Sequence, residues 1–228
     1  MKWADTLLDL LYPQCCPGCG KKTEKDRPWC EACIRSFWSP RMLSGAGTRH
    51  LDGCYTLTMY RGGIRDALIG LKYGRKRELA ASFAPLLARF PWWDRLSGFP
   101  LAVPVPLYKE RKRDRGYNQT DLIFAHPLRA LGKEYDPDLL VRIRHTDVQS
   151  RLDLDGRRNN VKGAFHVNRG KEIRGASILL VDPRTTRLIQ LNEIQKKQTE
   201  SLFSRFLILE KRPFFMPIFR RIAPGTPF

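Results

Sequence analysis

The sequence predicts an α/β protein: a mainly parallel sheet flanked by helices, behind a small N-terminal zinc ribbon. Three observations carry this expectation. Strand-like stretches alternate with helical patterns between residues 54 and 186, as in a sheet built from crossover units. The apolar run Ile178-Leu-Leu-Val181 shows no alternation, the pattern of a strand buried on both faces. Cys16-Pro-Gly-Cys19 and Cys30-Glu-Ala-Cys33 repeat one ligand spacing near the start of the chain.

Residues 3–11 predict a short amphipathic helix, with Leu7, Leu8 and Leu11 on one face and Tyr12-Pro13 ending it. The cysteine pairs follow. A Cys-x-x-Cys turn points two thiolates at one ion, and Gly18 and Gly20 let the backbone close tightly around it. Two such turns complete a closed tetrahedron, so Cys16, Cys19, Cys30 and Cys33 are expected to hold a structural zinc. A redox dithiol would need only one pair. Cys15 stands beside the site and could replace Cys16, and Cys54 reads as a buried apolar side chain.

Residues 39–53 are rich in turn formers and read as a linker. Residues 54–60 alternate and are rich in Thr and Tyr, a strand pattern. Ile64, Leu68 and Leu71 mark the buried face of the next helix, and Gly74 stands at its stop position. Leu79, Phe83 and Leu87 mark another helical pattern, which Pro85 kinks or restarts. Residues 101–107 are apolar and extended, and their two prolines argue for a strand end or an edge.

The stretch Lys109-Glu-Arg-Lys-Arg-Asp-Arg-Gly-Tyr-Asn-Gln119 reads as a basic loop opening into a helix, with Asn118 as N-cap. Side-chain cations and free N–H groups there favour an anion. That helix runs to about Leu131, with Pro127 as an irregularity and Gly132 after it. Residues 139–144 read as a strand and residues 145–160 as a loop with a short helix. Extended structure resumes at 161–167 and leads to the strand ending at Asp182. Ligands of open α/β sheets bind beyond the carboxyl ends of their strands, so Asp182, Thr185 and Thr186 form a candidate sugar-phosphate site.

The chain has 228 residues, with 41 Lys and Arg against 23 Asp and Glu, a formal net charge of +18. That excess favours polyanionic partners such as nucleic acid, phosphorylated metabolites or an anionic membrane surface, and the charge alone does not choose among them. No apolar run approaches the ~18 residues of a membrane span. The N-terminus, interrupted by Asp5 and Asp9, lacks the form of a signal peptide. A cytoplasmic location is therefore expected, where six cysteines argue for metal rather than disulfides. The four histidines show no metal-ligand spacing.

Several motifs together resemble the ComF family (competence protein F, or GntX-like). They are the two cysteine pairs, Tyr60-Arg-Gly-Gly-Ile-Arg-Asp-Ala-Leu-Ile-Gly-Leu-Lys-Tyr73, Val103-Pro-Val-Pro-Leu107, Arg115-Gly-Tyr-Asn-Gln119, Gln149, Arg157, Asn160-Val-Lys-Gly-Ala-Phe165 and Ile178-Leu-Leu-Val-Asp182. The resemblance spans roughly residues 5–182. It implies a double zinc ribbon followed by a type I phosphoribosyltransferase-like domain that binds phosphoribosyl pyrophosphate with magnesium. The implied reaction transfers ribosyl 5-phosphate with release of pyrophosphate. It makes Asp182 the catalytic residue, a carboxylate that engages the ribose hydroxyls, and assigns substrate contacts to Arg115, Gly116, Asn118, Gln119, Arg157, Asn160, Thr185 and Thr186. The implied organisation is an N-terminal helix and zinc ribbon over 1–38, the linker, a phosphoribosyltransferase-like domain over 54–186 and an atypical basic tail over 187–228.

The loop after Asp182 departs from the family pattern. Pro183 stands where a second acid is expected, the Thr pair comes one residue early and Arg187 replaces a glycine. Losing a carboxylate removes a ribose and metal ligand, and a side chain strains a phosphate nest that needs positive φ. Impaired transfer is therefore expected, and the abrupt end of the resemblance suggests a frame change near residue 183. The alternative expectation is a competence or DNA-uptake factor that binds single-stranded DNA through its zinc module and basic loop, alongside competence machinery.

Overall fold

The computed structural model describes residues 13–24, 26–44, 51–145, 160, 163–168, 177–183 and 187–191. The expected N-terminal helix, the segment containing Gln149 and Arg157, Thr185, Thr186 and the tail beyond 191 lie outside them.

The chain forms α1 (Glu31–Phe37), β1 (Trp38–Ser44), β2 (Leu51–Thr58) and α2 (Gly62–Tyr73). A 3-10 helix (Arg77–Phe83) then passes into α3 (Ala84–Ala88), which Pro85 opens at its first turn, where a missing N–H does no harm. Next come β3 (Leu101–Pro104), α4 (Lys109–Arg115), α5 (Gln119–Ala130), β4 (Glu134–Tyr135), β5 (Leu140–Arg142), β6 (Phe165–Val167), β7 (Ile178–Asp182) and β8 (Arg187–Leu191).

The main sheet has six strands in the order β1-β2-β8-β7-β3-β4. β3 runs parallel to β4 and β7, while β1–β2, β2–β8 and β7–β8 are antiparallel. The sheet is thus mixed rather than mainly parallel. Only residues 45–50 join β1 to β2, and only 183–186 join β7 to β8. A parallel crossover needs a dozen or more residues.

Side chains alternate across this sheet as the strand pleat requires. Tyr55, Leu57, Ala102, Leu179 and Val181 face one core, closed by α2, the 3-10 helix, α3 and α5. Cys54, Val103, Ile178 and Leu180 face the other, closed by Leu139, Leu140, Ala164 and Phe165 around the antiparallel β5–β6 pair. Both faces being covered explains the unbroken apolar run of β7, whose five residues are all buried.

Three local expectations change. Most of the expected linker is strand: β1 begins at Trp38 and runs to Ser44, and β2 begins at Leu51. Pro104 does end β3, but β3 lies inside the sheet rather than at its edge. The expected basic loop is the helix α4, closed by Gly116 at φ 80°, whose N–H donates to the Lys112 carbonyl at 2.8 Å. A left-handed glycine is a common way to stop a helix, and here it lets α5 start three residues later. No helix among the described residues is long and apolar enough to cross a membrane.

Candidate functional site

The first site is the four-cysteine cluster. The Cys16 N–H donates to the Lys21 carbonyl at 2.8 Å, the Gly20 N–H donates to the Cys16 carbonyl at 2.9 Å, and Gly20 has φ 72°. This knuckle carries Cys16 and Cys19. Cys30 precedes α1 and Cys33 lies in its first turn. The four Sγ atoms lie within 4.8 Å of one another, with Cys19 and Cys30 3.6 Å apart. Thiolates ~2.3 Å from a zinc ion form a tetrahedron with edges of about 3.8 Å, so the cluster fits that ion. Cys15 is excluded from it: its exposed thiol donates to the Pro13 carbonyl.

A backbone hydrogen bond from Cys33 draws the Cys30 thiol down to about 7, whereas burial pushes the Cys33 thiol up. Four thiolates held this close need a cation between them. Zinc is structural here, because four protein ligands leave no position for substrate.

The cluster is anchored on the main core. Trp29, between the cysteine pairs, is 3% exposed, and its Nε1–H donates to the Ser82 carbonyl at 2.8 Å. Its ring meets Phe37 edge-on at 4.9 Å and Phe83 at 6.5 Å. Gly18 of the knuckle lies against Gly63 at the start of α2: a methyl group on Gly63 would stand 2.4 Å from the Gly18 Cα. Neither Trp29 nor this glycine pair was singled out from sequence for the contact. Gly62-Gly63 at a helix start was the visible signal, since paired glycines can mark a close backbone approach.

The second site is cationic. α4 has no buried residue, and Lys109, Lys112 and Arg113 are exposed along it. The residues after it are committed locally. Tyr117 is buried and its hydroxyl donates to the Leu71 carbonyl at 2.6 Å. Asn118 caps α5, accepting from the Thr120 N–H at 3.1 Å. Gln119 Oε1 accepts from the Arg115 guanidinium. Thus Arg115, Gly116, Asn118 and Gln119 come together as one turn, which also ties α4 and α5 to the end of α2.

The third site is the carboxyl edge of the parallel strands. Asp182 is 4% exposed at the end of β7, paired in register with Arg187 of β8. The Val105 N–H, just past β3, donates to the Val181 carbonyl at 3.0 Å, so the chain leading into α4 leaves the sheet beside Asp182. Asp136, also buried, follows β4 at the same edge, and its carboxylate accepts from the Asp138 N–H at 3.0 Å. Asp136 was missed from sequence; a lone acid in a loop carries no distinguishing pattern. Asn160 is half-buried, and its carbonyl accepts from Arg144 at 3.0 Å.

Residues 7–42 match the double zinc ribbon domain family. The chain is 35% identical over 120 residues to DNA utilization protein YhgH of Salmonella typhi, covering 51% of this chain and 52% of that protein. It is 39% identical over 95 residues to competence protein F of Haemophilus influenzae, covering 41% and 42%. It is 27% identical over 178 residues to DNA utilization protein YhgH of Escherichia coli strain K12, covering 75% and 78%. The chain thus spans about half the length of the Salmonella relative, and less of the Haemophilus one. No solved structure matches it.

Proposed function

We propose, from the premise that the chain belongs to the ComF family, that it serves a competence or DNA-utilization role and meets DNA through its cationic face. The observation that carries this is α4. A short helix with no fully buried residue adds little to a core, so the exposed Lys109, Lys112 and Arg113 along it are explained better by a polyanion than by packing. The names of the relatives support the same reading. The zinc module contributes by fixing the frame on which α2 and α4 stand. Binding of a single-stranded oligonucleotide should weaken steeply with salt, as phosphate contacts release counterions. The double variant Lys112→Glu with Arg113→Glu should weaken it at least tenfold in fluorescence anisotropy at low salt. Salt-independent binding, or binding indifferent to that variant, would refute the reading.

A second reading is favoured by the carboxyl edge, where the approach to α4 and Asp182 leave neighbouring parallel strands. Phosphoribosyl pyrophosphate would sit there. Asp182 would face the ribose, and Arg115, Gly116, Asn118 and Gln119, with Arg157, Asn160, Thr185 and Thr186, would hold the phosphates. Magnesium needs one or two carboxylates besides phosphate oxygens, and Asp182 supplies one; the metal would neutralise the pyrophosphate charge. The pairing of Asp182 with a returning strand, rather than a crossover helix, narrows the room for such a loop. A rise in melting temperature with phosphoribosyl pyrophosphate and magnesium, lost in Asp182→Asn, is the expected sign; no shift at millimolar ligand would exclude this reading.

A further inference from the structure

The turn that ends α2 departs from the usual chemistry of helix ends. Gly74 closes the helix, its N–H donating to the Gly70 carbonyl at 2.9 Å, but with φ −88° it does not use the freedom of glycine. The left-handed position is the next residue, Arg75, at φ 53°, the one non-glycine residue with positive φ among those described. A side chain there costs of order 1 kcal/mol, and the exposed Arg75 side chain offsets none of it by burial.

Around this turn the surface is both basic and aromatic. Tyr73, the last residue of α2, is 78% exposed, and the Arg115 guanidinium lies over its ring, 6.0 Å from the centroid. Arg77 lies over the ring of buried Tyr117 at 5.2 Å, which holds that arginine in place. Exposed Lys76 stands between them in sequence. The α2 turn is therefore continuous with α4, with an aromatic face set among cations.

We infer that Tyr73, backed by Arg115 and flanked by Arg75, Lys76 and Arg77, is a stacking platform for an unpaired base. The cationic face would then take single-stranded DNA in preference to duplex. An aromatic ring gives a phosphate backbone nothing, but it gives a base a π-face, and a duplex keeps its bases stacked inside. A guanidinium beneath the ring orders it and adds a cation–π contact. Arg75 supplies a phosphate contact from a strained position that a glycine would fill more comfortably.

This inference rests on the reading that the cationic face meets DNA, and the test separates the two. Anisotropy would compare an oligo-dT strand, an abasic strand of equal length and a duplex, all at low salt. Tyr73→Ala should raise the Kd for oligo-dT about tenfold, leave the abasic strand and the duplex unchanged, and keep the salt slope. Tyr73→Trp should preserve or tighten oligo-dT binding. Arg75→Gly should weaken the oligo-dT and abasic strands alike while keeping or raising the melting temperature. If Tyr73→Ala leaves oligo-dT unchanged while Lys112→Glu with Arg113→Glu weakens it, the platform is wrong and the DNA reading stands. If the unmodified protein binds none of the three at low salt, both fail.

Discussion

Cys15 and Cys16 are identical neighbours, yet only Cys16 turns inward to the metal cluster, being 2% exposed while the Cys15 thiol points to a backbone carbonyl. Cys16→Ser should therefore lose the zinc and Cys15→Ser should keep one ion per chain, read by metal analysis of the purified variants. Equal zinc loss in both would show the ligand to be shared. The two cysteine pairs were fully legible in sequence because their spacing is the chemistry: it sets two thiolates per turn. Which of two adjacent cysteines is used depends on backbone direction, and no spacing encodes that. The same limit applies to Arg115-Gly-Tyr-Asn-Gln119. Its capping role in Asn118 was legible from residue type, but the burial of Tyr117 under a carbonyl of α2 needed the third dimension.

Among the elements, α5 and β4 meet at Tyr135, which both Asp121 and Arg129 of α5 contact. Asp121, in the first turn of α5, accepts from the Tyr135 hydroxyl of β4 at 2.9 Å. Burial holds the Asp121 carboxyl above the usual aspartate range, although the Tyr135 hydrogen bond and the Lys112 charge pull it down. The folded protein therefore binds this proton more readily than the unfolded chain. From about pH 4, the ordinary aspartate value, up through the raised value, stability is lost as pH rises. Asp121→Asn removes the titration. In urea melts the stability of the wild type relative to this variant should fall across that window and stay level above it; a relative gain with pH would contradict the assignment. Helices α2 and α5 were legible because their apolar residues recur at the helical period. The strand directions were not. Alternating strand and helix patterns suggested crossovers, but the length of each connection decides direction, and the strand ends at Ser44, Leu51, Asp182 and Arg187 had first to be located.

For the whole molecule, the metal cluster and the sheet behave as one body rather than a bead on a linker. Trp29 inserts between Phe37 and Phe83, Gly18 abuts Gly63, and Arg61 Nε–H donates to the Ser36 carbonyl at 2.6 Å. The resemblance divided the chain at residue 38, the point where α1 passes directly into β1 of the main sheet. A composition shift marked residues 39–53 as separate, but residues that pack across a boundary leave no mark in local composition. Two consequences follow from this contact. Gly63→Ala should destabilise the fold by about 1–3 kcal/mol, since a methyl 2.4 Å from backbone forces the knuckle away. Chelation of zinc should lower the temperature of the main transition, instead of adding a separate early one, because the knuckle that zinc holds is also the cover over Trp29 and the start of α2. Calorimetry with and without chelator distinguishes the cases. Two resolved transitions, the larger unmoved by chelator, would show that the metal module folds on its own. In that case α2 and the cationic turn at its end would not depend on the zinc; a single, lowered transition would tie the cationic surface to the metal module that frames it.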